Sequence, residues 1–492
     1  MNRFTLSTGH NPNYLAWVYR VGEVYPIPDA DRLVKTTING YDIVVSKDTK
    51  PGDIVVYFPT ETTLSSKFLS ANNLYELSER HLNSNYEEVE ELITKSQECS
   101  ASEAIVVMSE AKSKCGFFNK HGRVRMLKLR GEYSMGFLTP TSSLIKAYPE
   151  LVDVDWEALV GTSFDTVCDD LICQKYIPPV KSNDHVNTGQ RNFKKTMKKL
   201  KRFDRIVPGT FEFHYDTKQL GEHFKEIKPD DVVTISVKVH GTSTIMSNIP
   251  VNRKLTVWEK IKKFFGLNVE LTEYGNVYSS RRVIKNQYIN PTAGPGFYST
   301  DVWGKVNDVF APLLTKDMTM YGEIVGYEPG STKMIQPKHD YGCKPGEWKF
   351  MPYRITTINV DGVKQEWNLT AVDKCIKSMI ALHPELEDKV LPLNILYHGP
   401  MKGLYPHIPV DDNWHYNVLE AMKNDKENFL MEADEPMCIN RVPREGVVIR
   451  IDDDILARAW KLKSKRHYDL EAKAHDKGEV DIEELASTET DN

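Results

Sequence analysis

The chain has 492 residues, with 63 lysines and arginines against 69 aspartates and glutamates and a formal net charge of -6; that length exceeds one ordinary hydrophobic core, so two folded units and a linker are expected, and the mildly acidic balance excludes a protein that coats nucleic acid indiscriminately while leaving local basic patches open. No apolar run is long enough to span a bilayer, and Met1 to Arg20 mixes polar with charged residues, which predicts a cytoplasmic protein with no secretory leader and no membrane partner, a monomer by default. Seven cysteines without a CxxC pair exclude a zinc ribbon and a disulfide framework.

In chain order, the first third alternates short β-rich runs, Ala16–Tyr19, Tyr41–Val45, Ile54–Phe58 and Val124–Leu129, with turn signals at Asp29-Ala30-Asp31, Asn39-Gly40, Pro51-Gly52 and Gly131. That spacing predicts a small barrel over residues 1–170, similar to oligonucleotide-binding barrels. Ser65–Ser113 is polar and reads as an insertion of helices and loop, near 65–113. Arg123, Arg125, Lys128 and Arg130 interleave with Val124, Met126, Leu127 and Leu129. They either present cations to a nucleic-acid backbone or are the ordinary wet side of a strand, and the sequence leaves both open.

Residues 171–204 form a linker whose Lys181–Arg205 stretch is strongly basic, either a solvated bridge or a holder of phosphates. A second domain, 205–478, carries longer strands and helices, and 479–492 is an acidic tail. Within it, Lys254–Phe265 puts Leu255, Trp258, Ile261 and Phe265 on one helical face and lysines on the other. The expected arrangement is a helix packed on the domain with its basic face wet; RNA is the ligand to expect there if it binds anything, ahead of a membrane surface.

The chemically informative stretch is the β-branched run Val232–Val237, ending at Lys238-Val239-His240-Gly241-Thr242-Ser243. A lysine at a strand end with a glycine three residues on places an amine where a close backbone turn can admit a phosphate. Further motifs follow in order: Ser279-Ser280-Arg281-Arg282, Tyr321-Gly322-Glu323-Ile324, Phe350-Met351-Pro352-Tyr353-Arg354-Ile355, Glu445-Gly446-Val447-Val448-Ile449-Arg450 and Lys461-Leu462-Lys463-Ser464. Taken singly each has a plainer reading: a strand end at Glu445, a half-exposed strand at Lys461 and Lys463, core packing at Tyr353. No histidine pair has HxxxH spacing with a third partner, and His240 reads as a satisfied or exposed side chain.

The ordered series resembles the covalent nucleotidyltransferase superfamily of RNA ligases, DNA ligases and mRNA capping enzymes. Phe211–Asp216, the Lys238–Ser243 form of the lysine motif and Leu127–Gly136 are similar to the Deinococcus-type RNA ligases, which seal nicks having RNA on the 3'-hydroxyl side and carry a barrel before the catalytic domain. The resemblance implies an α+β fold, an OB-like barrel followed by an ATP-grasp-like nucleotidyltransferase domain of antiparallel sheets flanked by helices. It implies ATP and a divalent metal, Mg2+ or Mn2+, as cofactors, and RNA or RNA/DNA hybrid ends, in nicked duplex, as partners.

Aligned on the motifs, Lys238 is the nucleophile that becomes lysyl-AMP, and it must be neutral to attack; neighbouring cations, a metal and partial burial are the expected causes. Val239, Gly241 and Arg281 line the nucleotide, with Arg282 the competitor of Arg281. Glu323 holds the ribose hydroxyls and stands as a possible indirect metal contact. Tyr353 is the adenine shelf, with Phe350 as competitor. Glu445 organises the metal, and Lys461 and Lys463, on one face of a strand, hold the α-phosphate. A DNA ligase or capping guanylyltransferase shares these motifs; an RNA-binding protein of the same fold that no longer reacts is the rival of a different class.

Overall fold

The computed structural model describes residues 3–177, 205–214, 216–286, 298, 300–452 and 456–476; most of the basic linker and the acidic tail lie outside the described residues. The chain divides into two compact units, Met1–Ile177 and Pro178–Asn492. Among the described residues no helix is long and apolar enough to cross a membrane.

In the first unit β1 (Ala16–Arg20), β2 (Leu33–Ile38), β3 (Tyr41–Ser46), β4 (Ile54–Phe58) and β5 (Phe137–Pro140) build small antiparallel sheets. The β2–β3 hairpin turns at Asn39 and Gly40, with φ 51° and 75°. Asparagine and glycine are the residues that tolerate two successive positive φ values. The alternation of β3 is realised, Tyr41, Ile43 and Val45 buried and Asp42 and Val44 half-buried. Helices α1 (Tyr86–Glu98) and α2 (Ala101–Ser113) fill the polar insertion.

The expected strand Val124–Leu129 is shortened to Leu127–Leu129. Its first part is irregular because Arg123 turns inward, 3% exposed, in a two-bonded pair with Glu61 at 3.0 and 2.7 Å. Arg123 is therefore withdrawn from any nucleic-acid contact. Arg125 donates to the Phe117 carbonyl, Lys128 lies over the Tyr133 ring, and Arg130 is exposed at the following turn.

The second unit is two five-stranded sheets. The first orders the short strand Lys218–Gln219, β13 (Arg458–Lys463), β12 (Gly446–Ile451), β6 (Val232–Lys238) and β11 (Ile395–Pro400). The second orders β8 (Thr272–Ser279), β7 (Thr242–Asn252), β9 (Met318–Gly326), β10 (Trp348–Ile358) and the short strand Lys364–Glu366. Every pairing is antiparallel except Lys218–Gln219 on β13.

Each sheet is covered on one side by helices, because alternate residues along its strands are apolar. Val233, Ile235, Val447, Ile449, Trp460 and Leu462 pack on Leu220, Phe224 and α6 (Trp414–Asn424). Met320, Ile324, Phe350 and Ile355 pack on α4 (Val302–Phe310) and α5 (Leu369–Leu382), whose buried positions Leu369, Val372 and Ile376 follow helical spacing. The remaining faces meet: Arg450 of β12 reaches the Tyr353 carbonyl of β10 at 3.4 Å and Glu366 at 3.2 Å.

Just before β12, Arg444 and Glu435, each 1% exposed, form a pair at 2.9 and 3.2 Å, and Arg444 also bonds the Phe429 carbonyl. Removing one member leaves the other charge buried alone. Glu435→Ala should lower the unfolding free energy of this unit by about 3–5 kcal/mol, measured by denaturant unfolding, with a smaller loss when Arg444→Met is added.

Candidate active site

Antiparallel register places Lys238 of β6 opposite Gly446 of β12, and Gly446 opposite Lys463 of β13. The two lysines thus flank a position that has no side chain, and the carboxylate of the preceding residue fills the space between them. Lys238 Nζ lies 2.8 Å and Lys463 Nζ 3.4 Å from Glu445 Oε1. Gly446 is obligatory at this crossing: its φ is 150°, and a Cβ would come within 2.0 Å of the Leu462 carbonyl oxygen.

The strand end leads into α7 (Lys465–Asp476), whose first turn is held by Ser464 and Glu432: the His467 amide donates to Ser464 Oγ at 3.1 Å and the Lys465 amide to Glu432 at 2.6 Å. The helix brings His467 and Glu471, one turn apart, onto the lysines. Glu471 pairs with Lys463 at 2.7 Å and with His467 Nε2 at 3.1 Å, and His467 Nε2 lies 3.8 Å from Glu445.

Burial opposes ionisation of Glu445, but Lys238 and then Lys463 outweigh it and hold the carboxyl well below its ordinary pKa. Burial also opposes the Lys463 ammonium, yet Glu471 and Glu445 keep its pKa well above the usual value. Lys461 is the contrast. Burial first and Lys463 second bring its pKa down to about 7, with Arg281 and Lys238 acting in the same direction and Asp216 against.

Arg281 is bonded to Asp216, and Arg282 approaches the same carboxylate at 3.7 Å while remaining about half exposed. Arg281 is among the groups that depress Lys461. Tyr353 is half-buried with its ring 5.5 Å from that of His214. Phe350 is 0% exposed and packs 4.9 Å from Phe310 in the core, which removes it as a shelf. Glu323 stands opposite Ser243, whose hydroxyl donates to it at 3.2 Å. The Val239 side chain packs among Val237, Val325 and Met351, leaving its backbone for any nucleotide contact.

Gly241 has a different reason to be glycine from the one expected. A Cβ there would meet the Ile324 carbonyl oxygen at 2.5 Å, and its own carbonyl accepts from Gln336 at 2.8 Å. It lets the lysine loop lie against β9, and the His240 amide is fixed by donation to the Tyr341 hydroxyl at 2.6 Å.

Sequence reasoning passed over Asp216, His240, His467 and Glu471 as site residues. One donor atom from each of His240, Glu445, His467 and Glu471 lies within 4.8 Å of the others. Glu445 Oε2 is buried with no hydrogen-bond partner and 4.0 Å from His240 Nδ1. The ring of His240 is stacked edgewise on His339 and His467, and burial, then His339, hold it neutral with a pKa well below the usual value. Imidazole nitrogens together with the ionised Glu445 and Glu471 carboxylates are a donor set that fits a divalent cation. Glu323 is outside this group. The one trace of it in the sequence is the i, i+4 spacing of His467 and Glu471 directly after the Lys461–Lys463 motif, which an ordinary surface pair shares.

Comparison with known proteins places this geometry in a fold. A family model described as an OB-fold domain matches residues 15–97. No curated protein sequence matches the chain. A solved structure of a mutant RNA ligase from Naegleria gruberi with ATP and Mn is similar at TM-score 0.50 and 16% identity, covering 94% of this chain and 99% of that one. A second mutant of that ligase with ATP and Mn gives TM-score 0.51 and 16% identity over 93% and 98%, and an apo mutant the same values. The chain therefore has an N-terminal OB fold and the fold of an RNA ligase with mixed helices and antiparallel sheets.

If the depressed pKa of Lys461 reflects its cationic surroundings, an anion placed among them must raise it again. At about pH 8, above its folded value, Lys461 is mostly neutral and triphosphate binding should take up close to one proton; at about pH 6 it is already charged and uptake should be small. Calorimetry of ATP binding in buffers of different ionisation heat measures this, and Lys461→Met should abolish the uptake.

Proposed function

We propose that the chain is an ATP-dependent RNA ligase working through lysyl-AMP and an adenylylated 5'-end, as the motif resemblance implies. The reading rests on one observation above all: Lys238, Glu445, Lys461 and Lys463, brought from three neighbouring strands to one patch beside Arg281. A pure binding module has no need of a buried carboxylate bridging two lysines.

ATP lies with its adenine beside Tyr353 and its ribose hydroxyls on Glu323, which stops the nucleotide sliding as bonds exchange. Once it has given up its proton, the Lys238 nitrogen attacks the α-phosphorus; the new P–N bond replaces the P–O bond to pyrophosphate, which leaves, and the second amine proton is lost to solvent. A 5'-phosphate oxygen of RNA then displaces the lysine, and finally a 3'-hydroxyl attacks the adenylylated end, forming the phosphodiester and releasing AMP. Lys461, Lys463 and Arg281 face the negative charge that grows on the α-phosphate in each step. Glu445, with His240, His467 and Glu471, would hold a divalent cation, Mg2+ or Mn2+, which would supply charge neutralisation for the triphosphate. By the same resemblance the substrate is a nick with RNA on the 3'-hydroxyl side, and Arg125, Lys128 and Arg130 of the first unit remain candidates for nucleic-acid contact.

Incubation with α-labelled ATP should label the protein, and Lys238→Ala should abolish the label; a persisting adduct removes Lys238 as nucleophile, and labelling by GTP alone points to a capping enzyme. Lys461→Ala and Glu445→Ala should slow adenylylation by about a hundredfold, the scale for losing one charge-stabilising group. Sealing of matched nicks with one ribonucleotide or deoxyribonucleotide at the 3' side tests strand preference: equal rates defeat the RNA assignment.

A further inference from the structure

The segment between β7 and β8 has no part in the pocket, and its structure departs from expectation. Helix α3 (Val257–Phe264) was expected to pack its apolar face on the domain, yet it buries no residue. Val257, Trp258, Phe264 and Phe265 are 72, 75, 85 and 72% exposed, and Ile261, Leu267 and Leu271 are exposed as well. The helix is formed by its own ends. Thr256 and Glu259 make a capping box, Arg253 pairs with Glu259, and the chain leaves through Gly266 at φ 73°.

At about 100° per residue, Val257, Trp258, Ile261, Phe264 and Phe265 occupy one arc of roughly 120°. Lys262 borders it on one side and Lys260 on the other, with Lys263 and Lys254 near by. Lys262 is one turn from Trp258 and Lys260 one turn from Phe264, so exposed rings and ammoniums alternate over the surface.

Both strands that carry this helix are rooted in the nucleotide site. β7 starts at Thr242, inside the lysine motif, and β8 ends at Ser279, directly before Ser280 and Arg281. The 11 residues of β7, at about 3.3 Å each, carry the tip about 30–35 Å from its root, the length of about ten nucleotides of a strand.

We infer that this hairpin tip is an RNA-holding surface, gripping the substrate strand about ten nucleotides from the ends being joined, with Trp258, Phe264 and Phe265 stacking on bases and Lys260, Lys262 and Lys263 pairing with phosphates. The inference rests on the ligase reading and adds the substrate's extent to it. Three of the five apolar groups in the arc are rings, which suits bases; lysines on both borders repel a second copy of the same helix. The absence of a spanning helix has no bearing on lipid, because a helix of this shape can lie in a membrane surface, and lipid is therefore put to the test as well.

The full chain is compared with Trp258→Ala/Phe264→Ala and Lys260→Glu/Lys263→Glu on nicked RNA with arms of about six or about twenty nucleotides, reading both RNA binding and sealing. These side chains are exposed, so folding is undisturbed. Adenylylation and short-arm sealing should be unchanged, while KM and Kd for the long-arm RNA rise about tenfold in each variant. Long-arm binding equal to that of the parent overturns the inference. So does flotation with phosphatidylglycerol vesicles that both variants lose while RNA affinity stays constant. A chain that binds long RNA through the tip but joins nothing sinks the ligase reading and leaves this one standing.

Discussion

A nearly inaccessible carboxylate, Glu445, bridges the side-chain nitrogens of two lysines at 2.8 and 3.4 Å, and the rest of the second unit is arranged to keep that carboxylate ionised there. An isolated buried carboxylate would take a proton instead; two cations on neighbouring strands, with Glu471 sharing one of them, hold the balance near neutrality. The Arg444–Glu435 pair anchors the backbone immediately before it, and Gly446 immediately after it leaves the gap it occupies. Fold and site are thus one structure: the register of three strands sets the spacing of the charges.

Lys461 lies two residues from Lys463 and behaves oppositely. With Lys463 held charged by carboxylates and Lys461 surrounded mainly by cations and burial, the pair offers one fixed positive charge and one that answers to its surroundings. A phosphate beside Lys461 would favour its charged form, so such a pocket selects for charge over shape.

The strands of the site were legible because β-branched runs and Lys-Leu-Lys alternation translate directly into faces of a sheet. Lys238, Glu445, Lys461 and Lys463 fall together for that reason. The choice between Phe350 and Tyr353 was not legible: three residues apart they fall on opposite faces of β10, and only the packing of α4 on one face shows that Phe350 takes the core side. His467 and Glu471 were hidden because an i, i+4 pair on a helix is indistinguishable in sequence from a surface ion pair; only the bend at Ser464 aims it at the lysines. The amphipathicity of α3 was plain, but periodicity says which residues share a face and nothing about what, if anything, covers it.

The path of the chain into α7 has a consequence for biogenesis. Lys238 leaves the ribosome long before Glu471, and until that last carboxylate arrives Lys463 lacks its strongest anchor and Glu445 an ordered neighbour. A nascent or prematurely ended chain would therefore carry Lys238 and Glu445 without the carboxylate that ties Lys463 in place. The charged cluster on the sheet is complete only once α7 has folded against it.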